Sequence, residues 1–322
     1  MHAAALALSL AAAPRASIDR IVRYVMGDRH ILGLSLAVVR DGRIVYAHGY
    51  GFADRRRSIR VQTSTIFAIA SLEKPFIAAG VLRLSERGRL SLDDPLSKYV
   101  PWYSAARDVT LRELLSNTSG IPDYAQLPGF NRTSRNPVSP ETLVRRVAAL
   151  PLRFEPGTQW SYSNTDYVLL GMIVERVTHT PLAAWLHRDL FAPLRLRATA
   201  SWNPILREPN RAQGSLAAGT PSLAFAAADL ESNALDLAAW IDDLLALRVV
   251  DSADLARMID GMGFFSGYIG PLPGAWHSGY IEGYSSYLAI VPSKRLGVVL
   301  LCNADTVDLG PLAQSVIEDA LH

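Results

Sequence analysis

The sequence predicts an α+β fold: an antiparallel sheet flanked by N- and C-terminal helices, with a large all-helical insertion. Three observations predict it. Two strand-like runs near the start, Leu34 to Val39 and Arg43 to Gly51, are joined by Asp41-Gly42, the strongest short hairpin signal. Two more near the end, Tyr284 to Val291 and Leu296 to Cys302, flank a Pro-Ser-Lys-Arg turn. Between them, from about Lys74 to Ile259, apolar residues recur at helical spacing and Pro/Gly-rich loops interrupt them.

The elements follow in order. Ser17 to Asp28 reads as an amphipathic helix, because Ile18, Ile21, Val22 and Val25 share one face and Ser17 can cap its start. After the first hairpin, Pro75 to Leu84 is apolar throughout and reads as a buried helix. Leu143 to Leu150, Tyr167 to Thr178, Pro181 to Phe191 and Leu235 to Leu247 are the clearest later helices, and Pro311 to Leu321 closes the chain. No internal repeat or low-complexity linker divides it. Residues 1–16 read as a leader and 17–322 as one domain, in which 17–70 and 265–322 form the sheet region and 71–264 is mainly helical. The active site is expected where the two regions meet.

Composition narrows the function. A formal charge of +2 over 322 residues gives no footprint for nucleic acid or an acidic membrane surface. Arginine supplies nearly all the basic character and is scattered without a run. Cys302 is the single cysteine, so no internal disulfide can form, and its strand-like setting reads as a buried inert thiol. The seven histidines include no His-Glu-x-x-His pair, so neither a metal nor another cofactor is expected. Met1 to Ala16 is Ala/Leu-rich and ends in small residues, like a secretory signal, although its start offers only His2 as a basic group. It is too short to span a bilayer. A periplasmic or secreted location is expected, and a cytoplasmic one if the leader is inert.

The chemistry starts at Ser71-Leu72-Glu73-Lys74. Residues three apart on a helix share a face, so the Ser71 hydroxyl and the Lys74 amine come within contact reach. A serine hydroxyl is a weak nucleophile until a neighbour takes its proton, and a desolvated lysine can do so. Of the three lysines only Lys74 has this spacing, since Pro95 precedes Lys98 by three and Val291 precedes Lys294. Alone, the pattern also fits a surface Ser and Lys at a helix start. Tyr162-Ser163-Asn164 and His277-Ser278-Gly279 then follow in order, with the forms Tyr-x-Asn and Lys/His-x-Gly.

Together the three motifs resemble the class C β-lactamase and D-alanyl-D-alanine carboxypeptidase-like serine hydrolases, a family that includes esterases and D-amino-acid peptidases. Gly49 to Asp54, Gly88 to Pro95, Leu111 to Pro122, Phe154 to Gly157 and Gly283 to Ser286 extend the likeness from about residue 17 to the C-terminus. The resemblance implies the serine β-lactamase/penicillin-binding-protein-like fold and an acyl-enzyme mechanism on a small ester, peptide or β-lactam.

It also implies roles. Ser71 is the expected nucleophile, and its backbone N–H one oxyanion donor; the N–H of Tyr280 is the second. Lys74 and Tyr162 form the proton-transfer unit, with Tyr162 as base and then acid, and which of them holds the proton is left open. Each has a plainer reading: Ser71 as a helix cap, Tyr162 as a core aromatic, Asn164 as a turn residue or helix cap, His277 as a structural histidine. Asn164 is expected to orient Lys74 and bind substrate, and Gly279 to let substrate backbone approach.

His277 stands where typical class C β-lactamases carry lysine. A largely neutral imidazole binds a carboxylate less well than a cation does, which favours the peptidase and esterase branches. Glu73 stands where Ser or Thr is usual, and is expected to pair with an arginine or face solvent. Asn117 stands where His is usual, in a segment read as structural. The stretch from Tyr167 to His277 is short, which suggests a more open cleft. The reading is a serine hydrolase for short esters or D-amino-acid-type amides with weak β-lactamase action. Its rivals are a β-lactamase proper and a non-catalytic binding relative, whose motifs would be degraded.

Overall fold

Asp41 and Gly42 both adopt positive φ, +50° and +77°, the twist that a two-residue hairpin turn requires. They join strand β1 (Gly33–Arg40) to β2 (Arg43–Asp54). The computed structural model describes residues 13–130, 138–201, 210–214 and 224–322. The leader expected at 1–16 lies largely outside them. Helix α1 (Ala13–Asp28) already includes its last four positions.

The main sheet has seven strands in the order β3-β2-β1-β10-β9-β8-β7. Its other members are β3 (Ile59–Arg60), β7 (Phe265–Ile269), β8 (Leu272–Ile281), β9 (Tyr284–Val291) and β10 (Leu296–Cys302). The chain's two ends meet at its centre, where β1 runs antiparallel to β10 from Leu34↔Cys302 to Arg40↔Leu296. Side chains alternate between faces. Leu34, Leu36, Val38, Val298 and Leu300 pack under α1 and the C-terminal helix α9 (Gly310–Leu321), with Ile18, Val22, Leu312 and Val316. Ala37, Val39, Val299 and Leu301 turn to the other face and join the core of the helical region. Because both faces are covered, β10 reads as an unbroken apolar run rather than an alternating one.

The helical region is α2 (Lys74–Glu86), α3 (Leu111–Leu115), α4 (Pro140–Ala148), α5 (Asn164–Thr178), α6 (Leu182–Leu186), α7 (Ala234–Leu245) and α8 (Ser252–Ile259). The helix expected over 181–191 is α6 followed by a wider, π-type turn, His187–Phe191. Buried Phe76 of α2 stacks on Trp240 of α7 with ring centroids 4.1 Å apart. Helix α7 leaves the helical region and packs on β1 and β10, so one helix from the 71–264 stretch is a layer on the sheet. A second sheet was not anticipated: β4 (Phe67–Ala68), β5 (Ala200–Ser201) and β6 (Leu230–Ser232), in the order β4-β6-β5. It carries the chain into the Ser71 turn.

Candidate active site

Ser71 sits in a tight 3-10 turn, Ala70–Glu73, that leads straight into α2 at Lys74. The first bond of that turn is donated by Leu72 N–H to the Ile69 carbonyl. The Ser71 N–H precedes it and is directed out of the turn. Ala70 is held at φ +48°, a left-handed conformation that strains a residue with a Cβ. The surroundings enforce it. The Ser286 hydroxyl of β9 donates to the Ile69 carbonyl at 2.7 Å, and Ile69 N–H donates to the Leu230 carbonyl at 3.0 Å.

Strand β8 lies against the same turn. Its pairing with β7 ends at Phe265↔Trp276, while its pairing with β9 continues to Ile281↔Tyr284. Residues 277–281 thus extend past β7 beside Ser71. A Cβ on Gly279 would lie 2.4 Å from the Ile69 carbonyl oxygen and 2.3 Å from Ser286 Oγ. The close approach that Gly279 permits is therefore to the protein's own backbone.

The motif residues converge. Lys74, almost wholly buried, has Nζ 3.1 Å from Ser71 Oγ and donates to Asn164 Oδ1 at 3.0 Å and to the Ala227 carbonyl at 2.6 Å. Those two oxygens only accept, so Nζ turns N–H groups to both; toward Ser71 it offers a third N–H or, when neutral, its lone pair. The Tyr162 hydroxyl lies 2.9 Å from Ser71 Oγ, and Lys74 Nζ is 5.0 Å from the Tyr162 ring centroid. Such an arrangement can pass the serine proton to a neighbour and return it.

Asn164 opens α5, but its side chain does not cap the helix; Ser163 is the capping position. Its amide bridges Lys74 to Asp123, a buried carboxylate that sequence reasoning missed. The only local signal was an acid directly after Ile121-Pro122. Asn117, at φ +55°, donates to the Ser163 carbonyl at 3.2 Å and to Asp166 Oδ2 at 3.0 Å, and its own carbonyl accepts from Ser161 N–H. It thus holds the segment carrying Tyr162 on both sides. Burial keeps the Asp166 carboxyl well above its usual range although Ser119 and Asn117 donate to it.

His277 is buried, 3% exposed, and stacks on Phe265 at 4.6 Å. Its Nδ1 is 2.7 Å from the Ser278 carbonyl, so the ring proton sits there and Nε2 is left as an acceptor. Burial, and then the nearby Lys74 charge, push its pKa down to about 3. The imidazole is neutral at physiological pH. Glu73 neither faces solvent nor pairs with arginine, as had been expected; it is fully buried and meets Asp229.

Ser71, Tyr162, Asn164 and His277 floor a cavity of about 340 Å³. Tyr124, Phe130, Trp160, Phe265 and Tyr280 wall it, and no charged side chain among the described residues lines it. Trp160 is 56% exposed and Tyr280 38%, so both aromatics stand at the open rim. Residues 202–209 and 215–223, within the stretch expected to be trimmed, lie outside the described residues. Among the described residues, Glu86, Asp251 and Asp254 bring carboxylate oxygens within 4.8 Å of one another. Glu86 ends α2, about 20 Å from Ser71 at 1.5 Å per residue, and Asp251 and Asp254 belong to the start of α8, so the group is remote from this chemistry.

Comparison with known proteins agrees with this fold. A family model described as Beta-lactamase matches residues 18–321. The chain belongs to the beta-lactamase family. Protein flp of Staphylococcus aureus (strain COL) is 26% identical over 317 residues, covering 90% of this chain and 63% of flp. The chain therefore spans less than two thirds of that relative. The D-amino acid amidase of Ochrobactrum anthropi SV3, solved with L-phenylalanine, superposes with a TM-score of 0.87 at 25% identity, over 96% of this chain and 98% of the amidase. The beta-lactamase/D-alanine carboxypeptidase of Pseudomonas syringae shares the fold, with a TM-score of 0.82 at 22% identity over 95% and 99% of the two chains. No helix among the described residues is long and apolar enough to cross a membrane.

Proposed function

We propose that this protein is a serine hydrolase that acylates Ser71 with small neutral esters or amides. The observation that carries the reading is the Ser71–Lys74–Tyr162–Asn164 network, set at the floor of an uncharged aromatic cavity. As Ser71 Oγ bonds to the substrate carbonyl carbon, its proton passes to the Lys74–Tyr162 unit and the carbonyl π electrons move to oxygen. The N–H groups of Ser71 and Tyr280 receive that oxyanion. Collapse breaks the bond to the leaving group, which departs with the proton from the Lys74–Tyr162 unit. Water repeats the sequence on the acyl-enzyme, releasing the acid and restoring Ser71.

The acyl or leaving group best suited to the cavity is apolar and of aromatic size. His277 supplies no positive charge for a substrate carboxylate, so β-lactams are poor substrates. Amides of D-amino acids are a second reading, supported by the likeness to the amidase and by His277 Nε2, which the Nδ1 contact leaves as an acceptor for a substrate N–H. Export directed by residues 1–16 belongs to the same proposal, and the N-terminus of the mature protein, read by mass spectrometry, tests it.

Labelling with a fluorophosphonate probe, wild type beside Ser71→Ala, tests the nucleophile. One adduct on wild type and none on the variant is expected, with turnover down by several orders of magnitude. An adduct that persists in Ser71→Ala overturns the assignment. p-Nitrophenyl butyrate should be turned over readily and nitrocefin slowly; the reverse order would make the protein a β-lactamase proper.

A further inference from the structure

Glu73 takes no part in the chemistry above, yet it is fully buried between Leu72 and Lys74. Its Oε2 accepts a hydrogen bond from the Asp229 backbone N–H at 2.6 Å. The Asp229 carboxyl also acts on that of Glu73, whose Oε1 is buried without a hydrogen-bond partner among the described residues. Two ionised carboxylates cannot hydrogen-bond to each other and repel when one of them is fully buried, which favours a single proton for the pair. Burial and the facing carboxyl hold Glu73 well above the usual carboxylate range, and burial raises Asp229 to about 6. Besides Asp229, the charged group acting on Glu73 is Lys74, which pulls in the opposite direction.

The loop that carries Asp229 also serves Lys74. Ala227 gives its carbonyl to Nζ at 2.6 Å. Ala226, at φ +57°, packs its methyl where a Cβ on Gly171 of α5 would fall, 2.5 Å away. Leu230 accepts from Ile69 N–H just before the Ser71 turn. Residues 224–230 are thus tied to the turn on both sides of Ser71, and Glu73 adds a tie beside that of Lys74.

We propose that Glu73 is a positioning residue: with Asp229 it forms a one-proton carboxyl pair that clamps residues 224–229 to the Ser71 turn and keeps the Ala227 carbonyl on Lys74. The activity readout rests on Ser71 being the acylated group; the clamp itself does not. When rising pH removes the shared proton, two adjacent charges push the loop away and Lys74 loses an acceptor. Because folding raises these pKa values, the folded state holds a proton that the unfolded chain has released. The clamp's contribution to stability is therefore intact at low pH and lost as pH rises.

The test compares Glu73→Gln, Asp229→Asn and Glu73→Ala in two measurements: fluorophosphonate labelling rate and thermal midpoint, each across pH. Either amide replaces the shared proton with a fixed N–H. Both amide variants should label within about threefold of wild type near neutrality and lose the alkaline decline. Glu73→Ala should label about tenfold more slowly, through the maximal rate and not half-saturation. The wild-type midpoint should fall relative to Glu73→Gln as pH rises. If Glu73→Ala does not fold, Asp229→Ala against Asp229→Asn carries the same comparison. Wild type that fails to label would overturn the serine assignment, leaving the midpoint curves to decide the clamp. A Gln variant as slow as Ala, or midpoint curves that run parallel, would overturn the clamp.

Discussion

Asp123 presents both of its carboxylate oxygens to Asn164 Nδ2, at 3.1 and 3.3 Å. Carboxylate oxygens accept, so this contact fixes which end of the Asn164 amide is NH₂ and which is oxygen. The oxygen is thereby directed at Lys74. One acceptor of the lysine is set by a residue for which no contact with Ser71 is found.

Asp123→Asn should expose that dependence. Its side chain offers a donor as well as an acceptor, so the Asn164 amide can turn over and aim N–H at Lys74. We expect kcat to fall about tenfold with KM nearly unchanged, and the thermal midpoint to stay within a few degrees. A KM effect of equal size would mean that Asp123 binds substrate directly.

Lys74 and Tyr162 both contact Ser71 Oγ, so they are expected to act as one unit. Lys74→Ala and Tyr162→Phe should each be severe, and the double variant hardly worse than the poorer single one. Steady-state rates for the four proteins close the cycle, and additive losses would separate the two roles.

His277→Lys places a cation where the native ring is neutral. Selectivity should move toward carboxylate-bearing substrates by about 1–2 kcal/mol, read as the ratio of kcat/KM for nitrocefin and a short ester. The native ring also predicts acid sensitivity. The unfolded chain protonates His277 near 6.5 and the folded protein near 3, so stability is lost as pH falls through that window. Replacement by Gln should flatten this part of the stability curve.

Gly279→Ala should damage the site without touching a motif hydroxyl or amine. The new methyl collides with the Ile69 carbonyl and Ser286 Oγ, and overpacking of this kind costs about 1–3 kcal/mol. Relief requires the Ser71 turn to shift from β8, so labelling should slow together with a lower thermal midpoint. A variant that labels at the native rate would show that the turn tolerates displacement.

Four strands of the main sheet, β1, β2, β9 and β10, were legible because their signals are local: Asp41-Gly42 makes one hairpin, and long apolar runs make the strands, whereas β3, β7 and β8 were not read from such signals. Strands of two or three residues, such as Phe67–Ala68 and Leu230–Ser232, are too short to show a period, so the second sheet stayed hidden. In the site, Ser71 and Lys74 were readable from their helical spacing, and Tyr162, Asn164 and His277 through the resemblance to family motifs; the structure brings the five side chains together. Asp123 was not, because a lone acid in a loop has no pattern until the fold places it on Asn164. Asn117 was read as merely structural; its left-handed backbone and its grip on Ser163 and Asp166 are tertiary properties. Glu73 misled because an acid next to a nucleophile suggests a surface, whereas its partner lies 156 positions away.

The hydroxyl of Ser286 and the carbonyl of Ile69 are separated by 217 positions of chain, and the centre of the sheet joins Leu34 to Cys302. Pairings this distant close long loops and are slow to form. A folding chain that has assembled only its helices owns the serine, lysine and tyrosine, but not the strained turn that presents the serine. On the proposed assignment, reactivity at Ser71 would thus report that the sheet pairings holding its turn have formed.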